Sequence, residues 1–191
     1  MLPIVRRIVT GQSADGAARF THVEAVEPIR RSNNMQWYGV WGWEEVPSLP
    51  HLRSEPYAPR SVFPAANGKA MRINTVVFPA RYGLDTPPPA APTAADAAYA
   101  KLAAASPPGG ARGANGMHAT DTVDLVVVQS GEISLIQGDG SEVTLRLGDV
   151  LVQNGTAHAW KNRTDQPCMI CFIIMGAPVR TVTASAGEPR E

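Results

Sequence analysis

Residues 117–178 read MHATDTVDLVVVQSGEISLIQGDGSEVTLRLGDVLVQNGTAHAWKNRTDQPCMICFIIMGAP. The stretch breaks into short apolar runs separated by turn residues. Residues 124–130 are strand-like and stop at Gly131, and residues 132–136 extend again before the tight turn at 137–141. Residues 142–147 alternate polar and apolar, Gly148-Asp149 turns the chain, and 150–153 extends. After Asn154-Gly155 come a short run at 156–162, a turn at 163–167 and a strongly apolar strand at 168–175. Strands at this spacing, with no helix signal between 117 and 180, predict an all-β sandwich or barrel.

Outward from this core the pattern loosens. Residues 4–10 and 19–26 predict an N-terminal hairpin. Residues 31–70 have no clean period. They hold Trp37, Tyr38, Trp41 and Trp43, then Pro47, Pro50, Pro56, Pro59 and Pro64, and read as an arm or loop layer over the core. Residues 71–78 predict a further barrel strand, stopped by Pro79. In residues 90–114, 12 of 25 positions are alanine. Thr93 and Asp96 before that run predict an N-capped short helix reaching about Ala105. It lies in a Pro/Gly-rich insertion at 81–116, read as a mobile surface segment or a lid. The expected organisation is one domain over 1–191, with an arm at 1–70, barrel core at 71–80 and 117–180, and a disordered tail at 181–191.

Side chains alternate faces along an extended strand, so residues two apart look the same way. His118, Thr120 and Asp124 share parity, and so do His158, Trp160 and Asn162. Two histidines and one carboxylate inside a β-barrel form a set that suits Fe(II), Mn(II), Ni(II) or Zn(II) and leaves coordination positions open. Asp121 is a nearby carboxylate of the opposite parity.

These residues carry a family resemblance. His118-x-Thr120, three residues, Asp124, six residues, Gly131 resembles the first cupin motif, in which the second residue of the pair is histidine and the acid is glutamate. Gly148, His158 and Asn162 resemble the second, without its proline and one residue shorter in the loop. The form Gln153-x-Gly155-Thr156-x-His158-x-Trp160-x-Asn162 is similar to a subgroup of short single-domain cupins of bacteria and fungi. The resemblance implies a double-stranded β-helix, or jelly-roll, barrel with an N-terminal β extension and an Ala-rich helical insertion.

It also implies a divalent metal held by His118, His158 and Asp124. Asp124 is then third ligand or general base, and Thr120 orients a water or substrate oxygen. Trp160, Gln153 and Trp41 line the pocket, and the tryptophan cluster offers a stacking surface for a planar substrate. The expected activity is dioxygenase- or decarboxylase-like, on a small carboxylate, diketone or phenol. Thr120 in place of a ligand histidine keeps two other readings open: a non-catalytic small-ligand binder, and a metal-free isomerase or cyclase using His–Asp acid/base chemistry. Cupins span all of these, so fold alone does not choose. The resemblance further suggests a homodimer with the N-terminal hairpin or the tryptophan arm packed across it.

Composition narrows the partners. Seventeen Lys+Arg balance 17 Asp+Glu, giving zero formal charge. That argues against nucleic acid, which demands a cationic excess. No apolar run approaches a membrane span, and the N-terminus lacks the order of a secretory signal. Two cysteines make no disulfide framework, so the expected location is the cytoplasm. Cys168 and Cys171, three apart in a predicted strand, point to opposite faces and form neither a metal site nor a disulfide.

Overall fold

The structure is a computed structural model that describes residues 4–30, 33–50, 56–84, 94–106 and 116–179. Eleven strands and one helix follow in order: β1 Arg6–Gln12, β2 Ala18–Ala25, β3 Ile29–Arg30, β4 Gln36–Trp43, β5 Met71–Phe78, α1 Ala94–Ala104, β6 Thr122–Ser130, β7 Glu132–Gln137, β8 Glu142–Arg146, β9 Val150–Gln153, β10 His158–Lys161 and β11 Cys168–Gly176. They form a six-stranded sheet in the order β3-β4-β5-β11-β6-β9, a three-stranded sheet in the order β10-β7-β8, and the separate β1–β2 hairpin. All pairings are antiparallel. This is a jelly-roll arrangement. As the sequence predicts, it is all-β, and among the described residues its strands hydrogen-bond as separate sheets facing one another.

Alternation along the strands decides which side chains meet. On β6, Thr122, Asp124, Val126 and Val128 are buried while the residues between them are half-exposed. Register carries this inward face across the sheet: Val128 stands opposite Ile170, Val126 opposite Phe172, and Asp124 opposite Ile174. Ile133 and Leu135 of β7, Leu145 of β8 and Trp160 of β10 join Val126, Val128 and Ile170 in one apolar core between the sheets. Burying such aliphatic side chains yields about 1.5–3 kcal/mol each, so this shared core holds the two layers together.

The same register settles the cysteines. Cys168 is fully buried in the core, and burial first, then the Glu132 charge, pushes its thiol up to about 12. Cys171 has the opposite parity, and both cysteines are free.

β4 is a strand where the sequence showed no period. Gly39 and Gly42 interrupt its side-chain pattern, and a register shift between Gly39 and Trp41 reverses its faces partway along. Trp37 points into the core, opposite Val76. Trp41 falls opposite Ile73, on the outward side, where its ring lies 5.4 Å from that of Tyr57. Trp41 is therefore not a pocket residue: the extra residue in β4 turns it away from the interior.

Over β4 and β5 the second layer is not a sheet. Pro59 sits on Gly39, and Asn74 Nδ2 donates to the Val62 carbonyl at 3.0 Å. The Ser106 hydroxyl accepts from the Val62 and Phe63 amides at 3.1 and 3.0 Å, anchoring the C-terminal end of α1 there. Tyr99 of α1 meets Trp37 edge-on at 6.0 Å. The described part of the 81–116 insertion is thus packed on the core. Thr93, the expected helix cap, lies outside the described residues, as does the tail at 181–191.

Candidate functional site

His118 lies outside any named strand but pairs with His158. Each backbone N–H donates to the other's carbonyl at 2.9 Å. Residues directly opposite in an antiparallel pair share a face, and the two rings lie 4.5 Å apart between centroids. On its other side His158 stands opposite Gln137 of β7. The result is an inward row His118–His158–Gln137. On the facing sheet a second inward row runs Ile174–Asp124–Gln153.

Gln153 joins the two rows. Its Nε2 donates to the Thr156 carbonyl at 2.9 Å and the Thr156 hydroxyl at 2.7 Å, and lies 3.0 Å from His158 Nδ1. The Thr156 hydroxyl in turn donates to Gln137 Oε1 at 2.9 Å. Gln137, Thr122 and Thr156 are site residues that the sequence reading missed. Gln137 opens a tight turn and looked like turn punctuation.

A carbonyl oxygen only accepts, so His118 Nδ1 donates to Gly116 O at 2.9 Å, and in a neutral ring its lone pair then sits on Nε2. His118 thus has the arrangement usual for a metal-ligating histidine, in which the other ring nitrogen is held by a carbonyl. His158 Nδ1 sits between an acceptor and a donor, 2.8 Å from the Thr156 carbonyl and 3.0 Å from Gln153 Nε2, so either ring nitrogen can carry its proton.

Asp124 is 5% exposed, and its Oδ1 has no hydrogen-bond partner. Burial raises its carboxyl to about 6, opposed by a hydrogen bond from Thr122. The Thr120 and Thr122 hydroxyls lie 2.8 Å apart, so Thr120 reaches Asp124 only through Thr122. Asp121 is exposed. Among the described residues no three of His, Cys, Asp and Glu gather into a set that could hold a metal ion. The structure thus brings the two histidines together and does not group Asp124 with them.

Trp160 forms an apolar wall. Its ring lies 6.0 Å from His158, 6.1 Å from Phe78 and 5.7 Å from Phe172. Asn162, two residues further on, serves the fold instead. It is fully buried, and its Nδ2 donates to the Pro79 and Gln166 carbonyls at 2.9 and 2.7 Å.

Residues 104–174 match the family described as Cupin domain. Over 48 residues the chain is 48% identical to "Phomopsin biosynthesis cluster protein C'" of Diaporthe leptostromiformis, covering 25% of each chain. Over 45 residues it is 47% identical to "Oryzines biosynthesis cluster protein J" of Aspergillus oryzae, covering 24% of this chain and 25% of that one. The matched stretch therefore spans about a quarter of the length of these curated relatives. Among solved structures, a Cupin 2 conserved barrel domain protein from Salinispora arenicola is 14% identical over 75% of this chain and 76% of its own, with a TM-score of 0.39. Among the described residues no helix is long and apolar enough to cross a membrane. The family match runs from the end of α1 into β11, so residues 104–174 of the chain carry the similarity to the cupin domain.

Proposed function

We propose that the chain is a metal-dependent enzyme of dioxygenase or decarboxylase type, acting on a small carboxylate, diketone or phenol. One observation carries the reading: two histidines share a face, 4.5 Å apart between ring centroids, each with its Nδ1 against a backbone carbonyl at 2.9 and 2.8 Å. That donor pair fits Fe, Mn, Ni or Zn through the two Nε2 atoms. A divalent metal held there supplies Lewis-acid polarisation of a substrate oxygen or a place for dioxygen.

The chain's own residues do the rest. Asp124, its carboxyl raised to about 6, exchanges a proton with substrate near neutral pH as general base or acid. The Thr120–Thr122 hydroxyl pair holds that carboxyl in place. Gln153 fixes the Thr156 carbonyl that orients His158. Trp160 and Phe172 exclude water from the apolar side. Relatives named as biosynthesis-cluster proteins support a role on small molecules, although they match only a quarter of the chain. The reading includes a cytoplasmic homodimer. Exposed Ile8, Phe20 and Val23 on the β1–β2 hairpin support the second copy, and two free thiols suit a reducing compartment.

Elemental mass spectrometry on purified protein, after growth in metal-supplemented medium, tests the proposal. The expected result is near-stoichiometric metal in the parent, loss in His118→Ala and His158→Ala, and retention in Asp124→Asn. Turnover is then screened over enols and phenols. Full metal in either histidine variant, or none in the parent, overturns it. The lack of a three-residue ligand set favours one second reading, a metal-free isomerase or cyclase working through Asp124 and the histidines. Turnover that survives chelation selects that reading.

A further inference from the structure

The β1–β2 hairpin turns its polar side toward its own chain and its apolar side away. Arg7 stands opposite Glu24, and Val9 opposite His22. Arg7 Nη2 donates to Glu24 Oε1 at 2.8 Å and Nη1 to the Val40 carbonyl at 3.0 Å, and the guanidinium lies over the Tyr57 ring, 5.5 Å from its centroid. The opposite face pairs Ile8 with Val23 and Thr10 with Phe20. Phe20 and Val23 are three apart and would look opposite ways in a regular strand. A register shift leaves Thr21 without a partner residue in β1, and this bulge puts both side chains on one face with Ile8. Ile8, Phe20 and Val23 are 54%, 69% and 55% exposed. A two-stranded hairpin is marginal alone in water, and a grouped apolar surface marks a contact.

A second apolar surface lies on the outer face of the six-stranded sheet. Register places Val152, Leu125 and Ile173 in one row across β9, β6 and β11, and Val150, Val127 and Cys171 in the next. Val150 and Val152 are 64% and 52% exposed, and the other four are half-buried. The three-stranded sheet supplies the contrast. Two of its outward rows, Lys161–Ser134–Thr144 and Glu132–Arg146, are polar, as a solvated antiparallel face is.

We infer that the outer face of β9, β6 and β11 is the docking surface for the β1–β2 hairpin of a second copy of this chain, and that the contact is reciprocal. The hairpin does not serve its own sheet, because the face it turns to its own chain is the charged one. Its base is rooted on that same outer face, where Val5 packs with Tyr38 and Val77. One two-fold axis then lays each hairpin over its partner's open strands, a self-complementary arrangement that closes at a dimer. Zero formal charge sets no net repulsion between the copies. A standard interface takes about 800 Å² from each partner, and the hairpin stripe with the two apolar rows supplies surface of that order. The contact also covers the edge strand β9, whose inward Gln153 holds the Thr156 carbonyl. The inference deepens the homodimer part of the functional reading and uses none of its chemistry.

Sedimentation velocity of the full chain tests it, with Phe20→Asp on the hairpin and Val152→Lys on the sheet. Both positions are more than half exposed, so neither charge is buried in the folded monomer. Circular dichroism checks the fold, and Val150→Lys serves if Val152→Lys does not fold. The parent is expected to sediment as a dimer at micromolar concentration, and each variant as a monomer. An equimolar mixture of the two variants is expected to recover the dimer. In the mixed pair one hairpin-on-sheet contact is native, and the other brings the two new charges, of opposite sign, together. A monomeric parent overturns both the docking surface and the homodimer. A dimer that survives either variant overturns the docking surface while the homodimer stands. A mixture that stays monomeric also overturns it, since two hairpins meeting each other, or two sheets, give no such recovery.

Discussion

His118 and His158 exchange both of their backbone hydrogen bonds, and this single pair joins the loop before β6 to β10. The histidine pair is thus fixed by main chain on both sides, and each ring is fixed again through Nδ1. The chemistry that follows depends on the residues around the pair, which differ in what they control.

Asp124 controls a pH dependence of stability. Its carboxyl rises from 3.8 to about 6 on folding because it is buried. The folded chain therefore binds that proton more tightly than the unfolded chain. The folded state has its full advantage below about pH 4 and loses it as the pH climbs through 6, by about 3 kcal/mol in all. In Asp124→Asn this slope disappears. Urea unfolding with chelator present, at pH 4 and pH 7, should show the variant gaining stability over the parent only at the higher pH. Parallel profiles for the two proteins would mean that Asp124 titrates normally.

On the proposed metal reading, Gln153 tunes the affinity from outside the histidine pair. It holds the Thr156 carbonyl against which His158 Nδ1 lies. Gln153→Leu releases that carbonyl, and losing such an outer partner typically costs about 10–100-fold in affinity. Competition with a chromogenic chelator measures it. Gln153→Glu, which keeps an acceptor and no donor for Thr156, should not restore the affinity. Unchanged affinity in Gln153→Leu would make the contact structural only.

Much of this was legible in the sequence. Alternation on β6 reflects one face packed on a core, and β5 and β11 read as apolar strands, so those strands and the inward positions of Asp124 and His158 followed from the sequence. The spacing of His118 and His158 to their glycines pointed to the pair. What was not legible depends on non-local geometry. The extra residue after Gly39 reverses β4 and sends Trp41 outward, and no residue there announces it. Gln137 enters the site because β7 lies beside β10, a relation set by topology. Asp124 and the histidines have the family's spacing yet no three-residue set forms. Parity fixes the direction a side chain takes, but not the distance between facing sheets.

Asn162 tests the division between site and scaffold. Its carboxamide makes four hydrogen bonds: Nδ2 to the Pro79 and Gln166 carbonyls, and Oδ1 from the Thr164 amide and hydroxyl. Asn162→Ala strands buried groups around the 162–166 turn and should cost about 3–5 kcal/mol. Thermal unfolding reads this directly. Metal content per folded molecule should stay at the parent's level, because the residue touches neither histidine's hydrogen bonds. Loss of metal from protein that remains folded would move Asn162 into the site.

Gly155 couples the two motifs, and a matched glycine isolates how. Gly148 and Gly155 both have positive φ, at 90° and 66°, where a side chain is strained. Alanine at either position should lose about 1–2 kcal/mol for the left-handed backbone. Gly148 has open space around its missing Cβ, so Gly148→Ala should stop there. At Gly155 that Cβ would lie 2.8 Å from the Thr120 carbonyl, and backbone on one side or the other must shift. Either shift reaches the pair, because the 118–122 segment carries one of the two histidines and the 153–158 turn leads into the other. Gly155→Ala should therefore be more destabilised than Gly148→Ala in urea, and should bind Zn(II) more weakly by calorimetry while Gly148→Ala binds it as the parent does. Equal effects of the two alanines on both measurements would mean that the 153–158 turn and the 118–122 segment move independently, and that the histidine pair alone sets the site.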